Sequence, residues 1–233
     1  MNSFFNFSAE EIDAIRLSLW VASIGIAASL PFGLLIAYVL ARKRFPGKLL
    51  LDGLVHMPLV LPPVVTGYIL LLLFGRKGPI GAFLEQTFGL VFSFRWTGAA
   101  LAAAVMGFPL MVRAIRLSLE STDRRLEDAS RTLGANGLTT FFFVTLPLAL
   151  PGIIAGLVLA FAKALGEFGA TITFVSNIPG ETRTLPTAIY TFTQVPGGDA
   201  GAFRLAAVAV VIALVALVLS ELLARRTAAR IDG

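Results

Sequence analysis

Few side chains in this sequence could do chemistry. The 233-residue chain has no cysteine and a single histidine, His56. Thiolate nucleophiles, disulfides and multi-histidine metal centres are thereby excluded. Lys163 and Glu167 stand four residues apart in an otherwise apolar segment, so on a helix they share one face. Ionisable residues inside such segments are rare and usually functional. An ion pair that fixes structure is the preferred reading, with direct contact to a passing substrate as the other. Gly169, Thr171 and Thr173 follow at once. A second apolar segment carries Pro62 and Pro63, where a helix must kink or break. Breaks of this kind line pathways in some membrane proteins and only shape packing in others. His56, alone near one end of that segment, reads as a packed or interfacial side chain rather than a proton relay.

The other chemically distinct stretch is Ser121 to Pro147, STDRRLEDASRTLGANGLTTFFFVTLP, charged and amphipathic between apolar neighbours. Its first half predicts a short helix, capped by Ser121, Thr122 or Asp123 and stopped by Gly134. Leu126, Ala129, Ser130 and Leu133 recur at i, i+3, i+4 and i+7, giving one small-to-apolar face suited to a groove on another protein.

The elements that must position these residues are membrane helices. The composition is 57% hydrophobic and only 14% charged, against about 25% charged in soluble domains. Leu17 to Leu40 is free of charge, and at 1.5 Å per residue its length of about 36 Å exceeds a hydrocarbon core of roughly 30 Å. Five spans are expected, at about 15–41, 53–75, 97–119, 147–167 and 203–225, within one domain over 11–226. The third is rich in small residues that permit close helix contact. Residues 79–95 predict an outer loop with a short surface or re-entrant helix, and 166–202 a long polar connection rich in turn signals. Ser8 with Glu11 forms a capping-box pattern that starts a helix near Ala9. The N-terminal segment is acidic, without the basic region of a cleaved signal peptide.

Basic residues fall in three loops: Arg42, Lys43, Arg44 and Lys48; Arg113, Arg116, Arg124, Arg125 and Arg131; and Arg225, Arg226 and Arg230. These twelve of 19 mark the cytoplasmic side, which places the N-terminus outside and the charged stretch inside. The same rule accounts for the net charge of +5 without nucleic acid as a partner. There is no G-x-x-x-x-G-K-[ST] loop for ATP and no G-x-S-x-G nucleophile turn, so catalysis by this chain alone is not expected.

Asp128-Ala129-Ser130, then Gly134, then Val144-x-Leu146-Pro147 resembles the cytoplasmic Glu-Ala-Ala loop of bacterial ABC importer permeases in spacing. Asp stands for the usual Glu, Ser for the second Ala and Val for Ile, and Glu127 lies one place early, which leaves two candidates for the acid. The segments DGLVHMPLVLPPVVTGYILLLLFGRKGPIG and PGIIAGLVLAFAKALGEFGATITFVSNIPGETRTLPTAIYTFTQVPGGD, with ARKRFPGK, are similar to the molybdate importer permeases; together they cover most of residues 35 to 200. The resemblance implies an all-α type I importer permease of the bacterial inner membrane, with the five-span core alone and no C-terminal regulatory domain. It implies a homodimer in lipid bearing two cytoplasmic ATPase subunits and docking an external molybdate-binding protein, with no cofactor. Asp128, Ala129, Ser130, Leu133, Gly134, Leu146 and Pro147 would couple to the ATPase. Pro62, Pro63, Glu167, Gly169, Thr171 and Thr173 would line the path of a tetrahedral oxyanion held only weakly there. The residues themselves do not separate molybdate from tungstate or sulfate. An ion channel, which needs no coupling element, and a membrane-embedded enzyme, which needs clustered acids or histidines, are the readings from other classes.

Overall fold

The computed structural model describes residues 6–231, with side chains described to 223 except at 220. All regular structure among them is helical. Helix α1, Ala9–Arg42, starts where the capping box places it: Glu11 N–H donates to Ser8 Oγ, and Ser8 N–H donates to the Glu11 carboxylate at 2.6 Å. The chain continues through α2 (Lys48–Val60), α3 (Pro63–Phe74), α4 (Pro79–Phe88) and α5 (Trp96–Ser121). The charged α6 (Arg124–Thr132) and the short α7 (Gly137–Thr140) come next. A five-residue π-helical stretch, Phe141–Thr145, leads into α8 (Leu146–Leu165), and α9 (Gly169–Val175), α10 (Leu185–Thr193) and α11 (Asp199–Ile231) complete the order.

Four helical segments are long and apolar enough to cross a membrane: Ala9–Arg42, Trp96–Ser121, Gly137–Leu165 and Asp199–Leu223. The pair α2 and α3, bent by 114°, brings the number to five if counted as one broken span. The sharpness of this break has a local cause. A residue before proline is driven out of the helical region, and two such positions adjoin: Leu61 takes φ −68°, ψ 143° and Pro62 φ −54°, ψ 133°. Pro63 then opens α3 from its first turn, where the missing N–H costs nothing.

Helix α5 is the centre of the bundle, packed against α1 on one side and α8 on the other. Its small residues make this possible. A Cβ at Gly25 of α1 would lie 2.5 Å from Ala100 O, and Ala99, Ala102, Ala103, Met111, Val112 and Ile115 are buried between the helices. With lipid as solvent, such close van der Waals packing replaces the hydrophobic drive available in water. A smaller cluster of Ala14, Leu165, Leu185, Ala188 and Leu205 joins α10 and α11 to the N-terminal part of α1 and the end of α8. The Glu11 carboxylate, fully buried, receives Arg204 Nη2 at 2.8 Å and fastens α11 to α1. Most of α11 faces away from the rest of the chain, with Val210, Leu214, Leu217 and Val218 exposed, as suits a surface in hydrocarbon. The basic positions 225, 226 and 230 lie outside the described side chains.

Residues 166–202, the polar connection between α8 and α11, hold two short helices, α9 and α10, between their turns. Their polarity is turned inward. Thr187 Oγ1 donates to Thr184 O, Thr191 Oγ1 donates to Thr187 O, and Thr182 Oγ1 accepts from Ile178 N–H and donates to Ser176 O. Ser18 Oγ of α1 accepts the first N–H of α10 at 2.6 Å. Threonines satisfied in this way can be buried within apolar surroundings.

Candidate functional site

Two constellations hold the candidate site residues; His56 lies outside both, beside Asp52 on α2.

The first is α6 with its supports. Asp123 is the cap, accepting from Arg125 N–H at 2.9 Å. At the other end Gly134 takes φ +90°, a conformation that side chains resist. Gly134 N–H reaches Arg131 O and Ala135 N–H reaches Ser130 O, the paired bonds of a Schellman stop. The helix is thus fixed at both ends by local chemistry. Glu127 fixes its orientation. This carboxylate is buried; its Oε1 receives Arg42 Nη2 at 2.8 Å and Thr145 Oγ1 at 3.1 Å. Arg124 Nη2 donates to Ala41 O at the end of α1, and the hydroxyls of Ser130 and Thr140 lie 3.3 Å apart. With this face held, the opposite one is free of the chain: Leu126 is 49% and Leu133 89% exposed, with Ala129 exposed between them. Asp128 is exposed and only loosely paired with Arg131, at 3.8 Å. Of the two acids left open by the sequence, Glu127 is the one built into the fold and Asp128 the one presented outward.

Leu146 and Pro147 belong to the foot of α8. Proline cannot donate, and its ring crowds the carbonyl four residues back. The helix meets this by widening just before it: Leu146 N–H bonds to Phe141 O, five residues back. The widened turn carries Thr145, the hydroxyl that holds Glu127. Leu146 packs against the buried core.

The second constellation is the contact of α3 with α9. A Cβ at Gly67 would lie 2.5 Å from Ala170 O and 2.9 Å from Thr173 Cβ. A Cβ at Gly169 would lie 2.7 Å from Pro63 Cβ. Pro63, Gly169 and Thr173 are therefore brought together at the broken helix, while Pro62 caps α3 and is exposed. Thr173 Oγ1 donates to Gly169 O at 2.8 Å, and Thr171 is buried. Glu167 sits at the turn into α9. It accepts Ala170 N–H at 3.0 Å and pairs with Lys163 Nζ at 2.7 Å, with its side chain almost fully buried. In this geometry its carboxylate organises the start of α9. Thr66, which the sequence did not single out, is buried in α3 beside Gly67, and its Oγ1 has no hydrogen-bond partner among the described atoms. Among the described residues no group of three or more His, Asp or Glu side chains could hold a metal ion.

Substituting Gly67 by valine is expected to break the α3–α9 contact, because the new atoms meet backbone rather than a yielding side chain. Overpacking of this kind costs about 1–3 kcal/mol. The midpoint of thermal unfolding in detergent should fall by several degrees, whereas valine at Gly53, which has open space around it, should leave it unchanged.

Comparison with known proteins adds the following. Residues 29–229 match the family model described as "Binding-protein-dependent transport system inner membrane component". The chain is 61% identical over 215 residues to a molybdenum transport system permease protein, ModB, of Escherichia coli strain K12, covering 92% of this chain and 94% of that one. It is 57% identical over 216 residues to ModB of Haemophilus influenzae, covering 93% and 94%. Among solved structures, a chain of the MetNI methionine ABC transporter in inward-facing conformations superposes with a TM-score of 0.70 at 15% identity, covering 93% of this chain and 95% of that one.

Proposed function

Because the chain belongs to the family of binding-protein-dependent transport system inner membrane components, we propose that it is the permease subunit of an ABC importer that carries molybdate across the inner membrane. Hydrolysis belongs to a separate ATPase subunit, since this chain has no phosphate-cradling loop. The substrate is that named for relatives at 61% and 57% identity over nearly the whole chain. Two copies form the pathway in lipid, each docks one ATPase on its cytoplasmic side, and an external binding protein delivers the anion. The basic loops around α1, α5 and α6 set the cytoplasmic side, so the N-terminus lies outside and the C-terminus inside.

The observation that carries this reading is the exposed face of α6. A short helix capped at both ends and clamped through Glu127 to α1 and to the foot of α8 can push on the bundle without deforming. Its outward Leu126, Ala129 and Leu133 suit a groove on a partner. The pathway is assigned to the break at Pro62 and Pro63 and the hydroxyls and small residues of α9. Lys163, the cation near that segment, is paired with Glu167 rather than left to hold the anion. Weak contact of this kind lets an anion leave as readily as it enters.

The test is reconstitution of the permease in proteoliposomes with its ATPase and binding protein. Binding protein loaded with molybdate is expected to stimulate ATP hydrolysis and anion uptake. Stimulation by sulfate-loaded but not molybdate-loaded protein would overturn the substrate, and ATP-independent flux would overturn the importer.

A further inference from the structure

A polar cluster apart from both constellations joins α2 to the end of α5. Arg116 Nη1 donates to Asp52 Oδ1 at 3.0 Å, and Arg116 Nε to Glu120 Oε1 at 2.8 Å. His56 Nδ1 lies 3.2 Å from the same Asp52 oxygen and 2.9 Å from Asp52 O. Both of those neighbours are acceptors, so Nδ1 carries the proton and His56 donates. Asp52 is thus gripped from α5 and from its own helix.

Three further facts give this cluster mechanical meaning. Only Thr122 and Asp123 separate α5 from α6, so the last turns of α5 move with the helix that faces the ATPase. Helix α2 has little other hold on the bundle: of its residues only Val55 is buried. Beside it runs an apolar groove of about 610 Å³, where Leu54 and Pro58 of α2, Phe32 of α1 and Phe108 of α5 are among the lining side chains. A helix lying over a groove lacks the interlocked packing that would hold it in one place. At the far end of the broken pair, α3 is seated on α9 through Gly67 and Gly169.

The geometry points to Asp52 as a positioning residue that transmits the movement of α6 to the gate. The pair α2–α3 is a bent lever. Arg116 grips its cytoplasmic arm through Asp52, the groove leaves it room to swing, and its other arm ends at Pro63 on Gly169. Displacement of α6 turns the end of α5, draws Asp52 with it and shifts Pro63 against α9. This inference rests on the importer reading above and adds a route by which the two constellations communicate.

The test uses the complete complex in proteoliposomes. Asp52→Asn is expected to raise the ATP consumed per anion delivered roughly tenfold, the scale on which residues along a coupling route act. The charge-reversed pair D52R/R116D should restore the ratio. A second readout does not depend on the substrate. The chain has no native cysteine, so nitroxides at Leu49→Cys on α2 and Leu117→Cys on α5, introduced in one copy of the permease beside an unlabelled second copy, report the distance between the two helices. With Asp52 present that distance should stay narrow with and without ATP; in D52N it should broaden. An unchanged ATP-to-anion ratio in D52N, or a distance as narrow as in the parent, overturns the lever. A parent complex driven by sulfate and not molybdate, with the distance still broadened in D52N, revises the substrate and leaves the lever standing.

Discussion

Replacing Ala129 with tryptophan is expected to lower anion uptake by roughly a hundredfold, on the scale of a central interface residue, while the permease remains folded in the membrane. Ala129 lies on the exposed face of α6, between Leu126 and Leu133, and touches none of the chain's buried core. An indole there stands out from a face that a partner must approach closely. The position is exposed, so thermal unfolding should be unaltered. The ATPase, held off or misaligned, hydrolyses ATP without moving the permease. Parallel measurement of uptake and hydrolysis in proteoliposomes checks this, and uptake at the parent rate would remove α6 as the coupling element.

The second large effect is expected at Glu127. Its replacement by alanine leaves Arg42, whose side chain is 6% exposed, without its carboxylate and takes from Thr145 the nearer of its two acceptors. Removing one partner of a buried pair costs about 3–5 kcal/mol. For a chain of this size that corresponds to a fall in the unfolding midpoint of roughly 10 °C. The double variant R42M/E127L, which removes both charges and fills the space, should recover most of the loss. Equal midpoints for E127A and the parent would show that the clamp does not hold α6. Asp128→Ala should leave the midpoint unchanged, since Asp128 is exposed and its partner lies 3.8 Å away.

The limits of α6 were legible because caps are local. Asp123 and Gly134 act on backbone groups two to four residues away, and spacing alone reveals them. Leu126, Ala129 and Leu133 were legible as one exposed face through the helical repeat, whereas Ser130, set on that face by the same repeat, turns to Thr140. The role of Glu127 was not, because Arg42 lies 85 positions away. No periodicity within the stretch distinguishes a clamped acid from a solvated neighbour. Likewise Pro62 and Pro63 announce a break, but its angle of 114° depends on where α3 lands. That is decided by two glycines on different helices, Gly67 and Gly169, each passing close to the other's helix. The two helices within the polar connection 166–202 were not legible from its turn signals. Threonine and glycine signal turns when their polar groups face water. Here the hydroxyls bond to the chain, and the same residues build two helices. The cluster at Asp52 joins residues 64 positions apart, and nothing near Arg116 in the sequence points to α2.

The broken pair also constrains the order of assembly during synthesis. At 1.5 Å per residue, α2 and α3 measure about 20 Å and 18 Å, so neither alone crosses a core of roughly 30 Å. Neither can be committed to the bilayer as a finished span when it leaves the ribosome. The seat of α3 is Ala170, about 100 residues downstream and beyond two further membrane helices. The α3 arm therefore reaches its final seat only once α9 has been made and lowered beside it. The α3–α9 contact is therefore completed late in synthesis, and truncation of the nascent chain before residue 170 should yield a protein whose second segment stays open to protease while α1 and α5 are already protected.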